Sequence, residues 1–172
     1  MILGMTPLTF VHTIISLIGI FSGLFLVYGF IAGKGLKHIA ALFLATTTAT
    51  SISGYFFPFH GVTPGIVIGA ISLVVLAIAT YARYARHLEG GWRRTYVISS
   101  VFALYLNCFV LVVQLFEKVP SLRALAPTQS EGPFKIAQGI VLVLFIALGI
   151  FSVKGFNEHP LRAANQTLPR AA

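Results

Sequence analysis

The chain has 172 residues, of which 57% are hydrophobic and 9% are charged, and its mean hydropathy is +0.91. This small number of charged side chains could not cover the surface of a water-soluble domain of this length. Lipid is therefore the expected solvent for most of the chain. The formal charge of +8 does not predict nucleic-acid binding, because the 12 Lys and Arg residues lie in short links between apolar runs rather than on one face.

Five apolar stretches follow one another, each close to the roughly 20 residues that a helix needs to cross a bilayer. The predicted spans are residues 8–32, 39–57, 65–82, 95–116 and 134–153. They predict an all-α fold, an integral membrane helical bundle that forms a single domain over residues 1–156. A flexible cytoplasmic tail is predicted over residues 157–172. A count of four spans would require one of the shorter runs to re-enter the membrane.

The distribution of positive charge predicts the orientation of the spans. Lys and Arg residues concentrate on the cytoplasmic side of bacterial inner membranes, and here nine fall on one side and three on the other. We therefore expect the amino terminus outside and the carboxyl terminus in the cytoplasm. The nine are Lys34, Lys37, Arg83, Arg86, Arg93, Arg94, Lys154, Arg162 and Arg170, and the three are Lys118, Arg123 and Lys135.

The longest link, residues 117–133, contains three prolines, which exclude one continuous helix. A short turn along the outer membrane surface is predicted instead. Leu122 and Leu125 are expected to face lipid there, and Arg123 to face headgroups.

Small and hydroxyl residues predict where the helices pack against one another, since helices in lipid associate through close backbone approach and interhelical hydrogen bonds. In the first span they recur at three- and four-residue steps, which places them on one helical face. The predicted packing positions are Ser16, Gly19, Gly23, Thr46, Thr50, Gly65 and Gly69.

Once the orientation is fixed, most of the remaining polar side chains fall at one depth, near the outer ends of the spans. Polar residues within a membrane are functional candidates by default, so this depth predicts an outward-facing pocket for a small molecule, a lipid or a partner protein. Asn107 lies deeper, on one face with Ser100 and Gln114, and is also suited to an interhelical hydrogen bond. The predicted ligand-binding residues are His12, His60, Asn107, Gln114, Glu117, Gln129, Glu131 and Gln138.

Enzymatic chemistry is poorly supported, because the chain has no Asp, its four Glu residues lie outside the apolar runs and no hydrolase motif occurs. No cofactor or metal is predicted, and the single Cys108 excludes an intramolecular disulfide. One alternative is a redox protein that holds haem b between His12 and His60 or interacts with quinone. Another is an accessory subunit of a larger membrane complex. The expected partners are the lipid bilayer and either a second copy of the chain or such a complex.

Two segments carry a family resemblance. Residues 104–139, with Leu104–Phe116, Lys118-Val-Pro, Ala126–Glu131 and Pro133-Phe, resemble a family of small uncharacterised multi-pass inner-membrane proteins of proteobacteria. Residues 50–64, with Gly54-Tyr-Phe-Phe-Pro-Phe, are similar to the same family. The resemblance implies a bacterial inner-membrane location and no particular activity, so it assigns no functional residues.

Overall fold

The structure, a computed structural model, describes residues 6–57 and 64–166, with side chains as far as Phe156. The described residues form helices and no strands, and five helices are long and apolar enough to cross a membrane. The predicted all-α membrane bundle with five spans is thereby confirmed. The helices are α1 (Pro7–Ile31), α2 (Lys37–Ser53), α3 (Pro64–Thr80), α4 (Trp92–Lys118), α5 (Pro120–Leu125) and α6 (Gly132–Gln166). A 3-10 turn, Gly54–Phe56, extends α2, and a π-helical turn, Tyr81–Ala85, extends α3.

The ends of α1 follow from local chemistry. The Thr6 hydroxyl accepts a hydrogen bond from the backbone amide of Thr9 at 3.2 Å, and Pro7 occupies the first turn, where no amide donor is needed. At the other end Gly33 adopts a φ of 67°, a left-handed conformation that glycine enters without steric cost. The chain therefore reverses sharply, and α1 and α2 pack side by side as a helical hairpin.

Helix α4 is the centre of the bundle, since it contacts α1, α2, α3 and α6. In its most apolar stretch 50% of the residues are buried inside the chain, against 11% for α6. The largest fully buried side chains include Phe30, Phe43, Tyr96 and Leu104, from α1, α2 and α4. The core thus lies around α4, between it and α1, α2 and α3, and α6 sits at the edge with most of its surface uncovered.

The two ends of the bundle differ in charge. His12, near the start of α1, contacts Ser53 at the end of α2, whereas Gly155 in α6 approaches Ile31 at the end of α1. Helix α1 therefore begins at one end of the bundle, and α6 reaches the opposite end. We call the first the α5 end, because it holds α5, and the second the basic end. The basic end carries Lys34, Lys37, Arg83, Arg86, Arg93, Arg94 and Lys154.

Two elements differ from the sequence prediction. Helix α6 continues to Gln166, well beyond the predicted end of the span at residue 153, so helix occupies the first part of the predicted flexible tail. The link between α4 and α6 contains the short helix α5 where a turn was expected. On α5 Arg123 and Leu125 are exposed and Leu122 is half-buried.

The predicted glycine positions differ in their surroundings. A Cβ added to Gly23 would lie 2.9 Å from the ring of Phe43 and 2.5 Å from a methyl group of Leu104, so this glycine lies where α1, α2 and α4 pack most closely. Gly69 lies against the ring of Tyr55, in the 3-10 turn that extends α2. Gly65 is exposed, so of the two predicted glycines in α3 only Gly69 packs against another element.

Candidate functional site

A column of polar side chains lies where α1, α2 and α4 meet. The Ser16 hydroxyl donates to the Asn107 side-chain oxygen at 3.3 Å. One turn deeper, a Cβ added to Gly19 would lie 3.0 Å from the Thr47 hydroxyl oxygen and 3.3 Å from the Asn107 amide nitrogen. The absent side chain at Gly19 therefore lets polar groups of α2 and α4 approach the backbone of α1.

Three atoms of this column are buried without a hydrogen-bond partner among the described residues. They are the hydroxyl oxygens of Thr47 and Thr50 and the amide nitrogen of Asn107. By contrast, the Thr46 hydroxyl donates to the carbonyl of Leu42 in its own helix at 2.7 Å. Because an unsatisfied buried polar group costs about 1–3 kcal/mol, the three atoms are suited to a polar guest such as water.

His12 stands at the top of the column and bonds to Ser53. Its Nδ1 lies 2.8 Å from the Ser53 hydroxyl, and that hydroxyl donates its one proton to the carbonyl of Thr50 at 3.0 Å. With that proton on the Thr50 carbonyl, Ser53 accepts from Nδ1–H, and Nε2 of a neutral His12 is then an acceptor. The Phe57 ring meets the imidazole edge-on, with 5.1 Å between centroids. His12 therefore presents one lone pair for a proton or a metal.

A polar pocket of about 390 Å³ lies at the α5 end, between the end of α4, helix α5 and the link that follows it. We call it the α5 pocket. Two cationic side chains and one carboxylate share its wall with two uncharged polar residues. The lining residues are Phe116, Glu117, Lys118, Arg123, Pro127, Thr128 and Gln129.

A network of hydrogen bonds shapes the wall of the α5 pocket. The Glu131 carboxylate accepts from the Thr128 amide at 3.1 Å, the Thr128 hydroxyl at 2.8 Å and the Ser130 amide at 3.0 Å. Desolvation alone would raise the pKa of Glu131, but the hydrogen bonds from Thr128 and Ser130 outweigh it and hold the pKa below its usual range. Glu131 is therefore a carboxylate at neutral pH and keeps the turn folded.

Gln129 occupies a strained position in this turn. Its φ is 58°, a left-handed conformation that costs a residue with a side chain about 1 kcal/mol or more. Its side-chain amide donates to the carbonyl of Val113 in α4 at 3.1 Å. The bond ties the link to α4, and with the Glu131 network it holds the pocket wall in place.

The structure brings together part of the predicted polar set. In the part of the chain that the structure describes, hydrogen bonds within the predicted set join only Gln114 to Glu117, at 3.4 Å. Gln138 is buried and donates to the carbonyl of Phe109 at 3.1 Å, between α6 and α4. Glu117 and Gln129 share the α5 pocket, Glu131 supports it, and His12 and Asn107 belong to the column. Among the described residues no hydrogen bond joins the column to the α5 pocket, and a single pocket that unites the whole predicted set, His60 included, stays a prediction.

Sequence reasoning treated Lys118 as a charge that sets topology and Arg123 as one that also faces headgroups, and it missed both as site residues. The signal that could have found them is the trio of prolines in residues 117–133, which folds the link back over the end of α4. Predicted His60 lies outside the described residues, so its pairing with His12 around haem b stays a prediction.

The chain matches no protein-family model, no curated protein and no solved structure. The resemblance to a proteobacterial membrane family therefore stays a prediction as well.

Proposed function

We propose that this protein is a non-enzymatic binding protein of the bacterial inner membrane, with its α5 pocket open to the periplasm. The membrane bundle and the concentration of Lys and Arg at the basic end support this orientation, since positive charge favours the cytoplasmic side. The occupant of the pocket is a small polar molecule that carries an anionic group.

The observation that carries the proposal is the charge of the α5 pocket. Lys118 and Arg123 line it with the carboxylate of Glu117. The Glu131 carboxylate does not line the pocket and already accepts hydrogen bonds from Thr128 and Ser130, so the lining side chains have an excess of positive charge. Its volume of about 390 Å³ falls within the range of roughly 300–1,000 Å³ that is typical of small-molecule sites. Charge-assisted hydrogen bonds from a lysine and an arginine suit a carboxylate or phosphate group.

The strain at Gln129 favours a binding site over an ordinary surface loop. Residues other than glycine that adopt a left-handed backbone conformation cluster at ligand clamps and active sites. Here Gln129 adopts that conformation and lines the pocket. The hydrogen bond from Gln129 to α4 and the network around Glu131 hold the wall in one geometry before a ligand arrives. Such pre-organisation reduces the entropy cost of binding.

The test is to identify what the pocket retains. Wild-type protein, the double variant K118Q/R123Q and the control K135Q would be purified in the same detergent, and the small molecules released on denaturation would be identified by mass spectrometry. Lys135 is exposed near the same end and does not line the pocket. We expect one anionic compound to accompany the wild type and K135Q.

The double variant should bind that compound on the order of a hundredfold more weakly, since each hydrogen bond to a charged group contributes about 1.5–3 kcal/mol. Calorimetric titration of the identified compound measures this difference. Equal affinity in the wild type and K118Q/R123Q would contradict the proposal.

Haem b remains the second candidate, because Nδ1 of His12 bonds to Ser53 and Nε2 is the nitrogen left to hold a metal. An absorption spectrum of the purified protein decides it. A Soret band that disappears in both His12→Ala and His60→Ala would support haem, and a wild-type preparation reconstituted with haem that shows no Soret shift would exclude it.

A further inference from the structure

A long apolar groove lies on the surface of the bundle between α4 and α6. Its volume is about 430 Å³, and it is separate from the α5 pocket. Aliphatic and aromatic side chains from both helices form its walls, among them Ile98, Phe102 and Tyr105 on α4 and Leu142, Ile146 and Val153 on α6. We call it the α4–α6 groove.

Two cations close one end of the α4–α6 groove. Arg94 stands at the start of α4 and Lys154 on the last membrane turns of α6, both at the basic end. Both are exposed, and neither makes a hydrogen bond or ion pair with any residue whose side chain is described. Among the residues whose side chains are described, none of those that line the groove is acidic. The mouth therefore offers two uncompensated positive charges beside an apolar channel.

Neighbouring arginines of the basic end have protein partners. Arg93 lies over the ring of Phe156 at 5.6 Å from its centroid, and Arg86 lies over the ring of Trp92 at 5.4 Å. Such cation–π contacts hold a guanidinium group against the protein. Arg94 differs from both, because its side chain is directed to the groove and is free to meet a ligand.

The length of the groove matches one leaflet of a bilayer. From Arg94 to Tyr105 the α4 wall spans roughly 16 Å at a rise of about 1.5 Å per residue. Half of the hydrocarbon core of a bilayer is about 15 Å. A groove that starts at the basic end therefore reaches close to the membrane midplane, which is the extent of an acyl chain from that leaflet.

We propose that the α4–α6 groove binds an anionic phospholipid, with one acyl chain along the groove and the phosphate-containing headgroup between Arg94 and Lys154. Charge complementarity selects an anionic lipid over a zwitterionic one. The apolar walls select a chain-bearing lipid over free phosphate. This site is independent of the α5 pocket and lies at the opposite end of the bundle.

Gly149 provides a way to fill the groove without disturbing the core. A Cβ added there would meet only Val101, at an ordinary 3.8 Å, so a longer side chain would project into the groove that Gly149 lines. Gly139 on the same helix is a matched control, because a Cβ added there meets open space and the residue does not line the groove.

The first experiment tests the headgroup. Purified protein in detergent would be given equal amounts of phosphatidylglycerol and phosphatidylcholine with identical acyl chains, and bound lipid would be counted by native mass spectrometry. We expect wild-type protein to prefer phosphatidylglycerol about thirtyfold, from two cations near the headgroup. R94Q/K154Q should lose the preference, whereas the control K34Q/K37Q, altered at two other cations of the basic end, should keep it.

Equal binding of both lipids by the wild type would overturn the proposal. So would a preference that survives in R94Q/K154Q, or one that falls equally in K34Q/K37Q, since the basic end as a whole would then be responsible.

The second experiment tests the acyl chain. Gly149→Leu should release the retained lipid whatever its headgroup, and Gly139→Leu should retain it. Lipid retained equally by the two variants would overturn the proposal. A wild-type dimer that Gly149→Leu dissociates would also overturn it, because the groove would then be an interface between copies of the chain. If Gly149→Leu does not elute as folded protein, Gly149→Ala replaces it and should weaken retention.

Discussion

Gly155 lies where the backbone of α6 closely approaches the end of α1. A Cβ added there would lie 2.7 Å from the carbonyl oxygen of Phe30 and closer still to that of Ile31, both at the end of α1. Backbone carbonyls cannot turn aside as a flexible side chain can. Any larger residue at position 155 must therefore push α6 away from α1.

Gly155→Ala should lower the free energy of unfolding by about 1–3 kcal/mol, the usual cost of overpacking a filled site. Gly139→Ala is the control on the same helix, because its Cβ meets open space and alanine favours the helix over glycine. Unfolding of both variants by sodium dodecyl sulfate in mixed micelles, followed by circular dichroism, measures the difference. Two variants of equal stability would show that α1 and α6 are further apart than described.

At the scale of elements, α1 and α4 are joined in the middle of the bundle by the hydrogen bond from Ser16 to Asn107. Interhelical bonds of this kind contribute about 0.6 kcal/mol on average and up to about 1.7 kcal/mol. A double-mutant cycle with Ser16→Ala and Asn107→Ala should therefore give a favourable coupling energy of about 0.6 kcal/mol. Strictly additive effects of the two substitutions on unfolding in micelles would exclude the contact.

The helices themselves could be predicted because each apolar run, when helical, is about as long as the hydrocarbon core of a bilayer is thick. The first span was predicted over residues 8–32 and is found at Pro7–Ile31. The glycine face of α1 could be predicted too, since three- and four-residue steps place Gly19 and Gly23 on one side. The continuation of α6 to Gln166 could not, because a helix propagates through its own hydrogen bonds beyond the apolar stretch that hydropathy detects.

At the scale of the whole molecule, sequence gives depth in the membrane but not position around the bundle axis. His12 and Gln138 were both predicted at the outer end, yet His12 bonds to Ser53 at the end of α2 while Gln138 bonds to the carbonyl of Phe109 in α4. The α5 pocket depends on the fold of the link after α4, which brings Arg123 beside Lys118. Hydropathy and charge counting treat both cations as loop residues, so the site required the three-dimensional arrangement.

The proposed function depends on which face of the membrane the α5 end occupies, and labelling of single cysteines tests this directly. In a Cys108→Ser background, Ser121→Cys marks the exposed surface of α5 and Lys34→Cys marks an exposed position at the basic end. A membrane-impermeant maleimide would be added to intact spheroplasts. We predict that Ser121→Cys is labelled at once and that Lys34→Cys is labelled only after lysis. Labelling of Lys34→Cys in intact spheroplasts, with Ser121→Cys protected, would contradict the account.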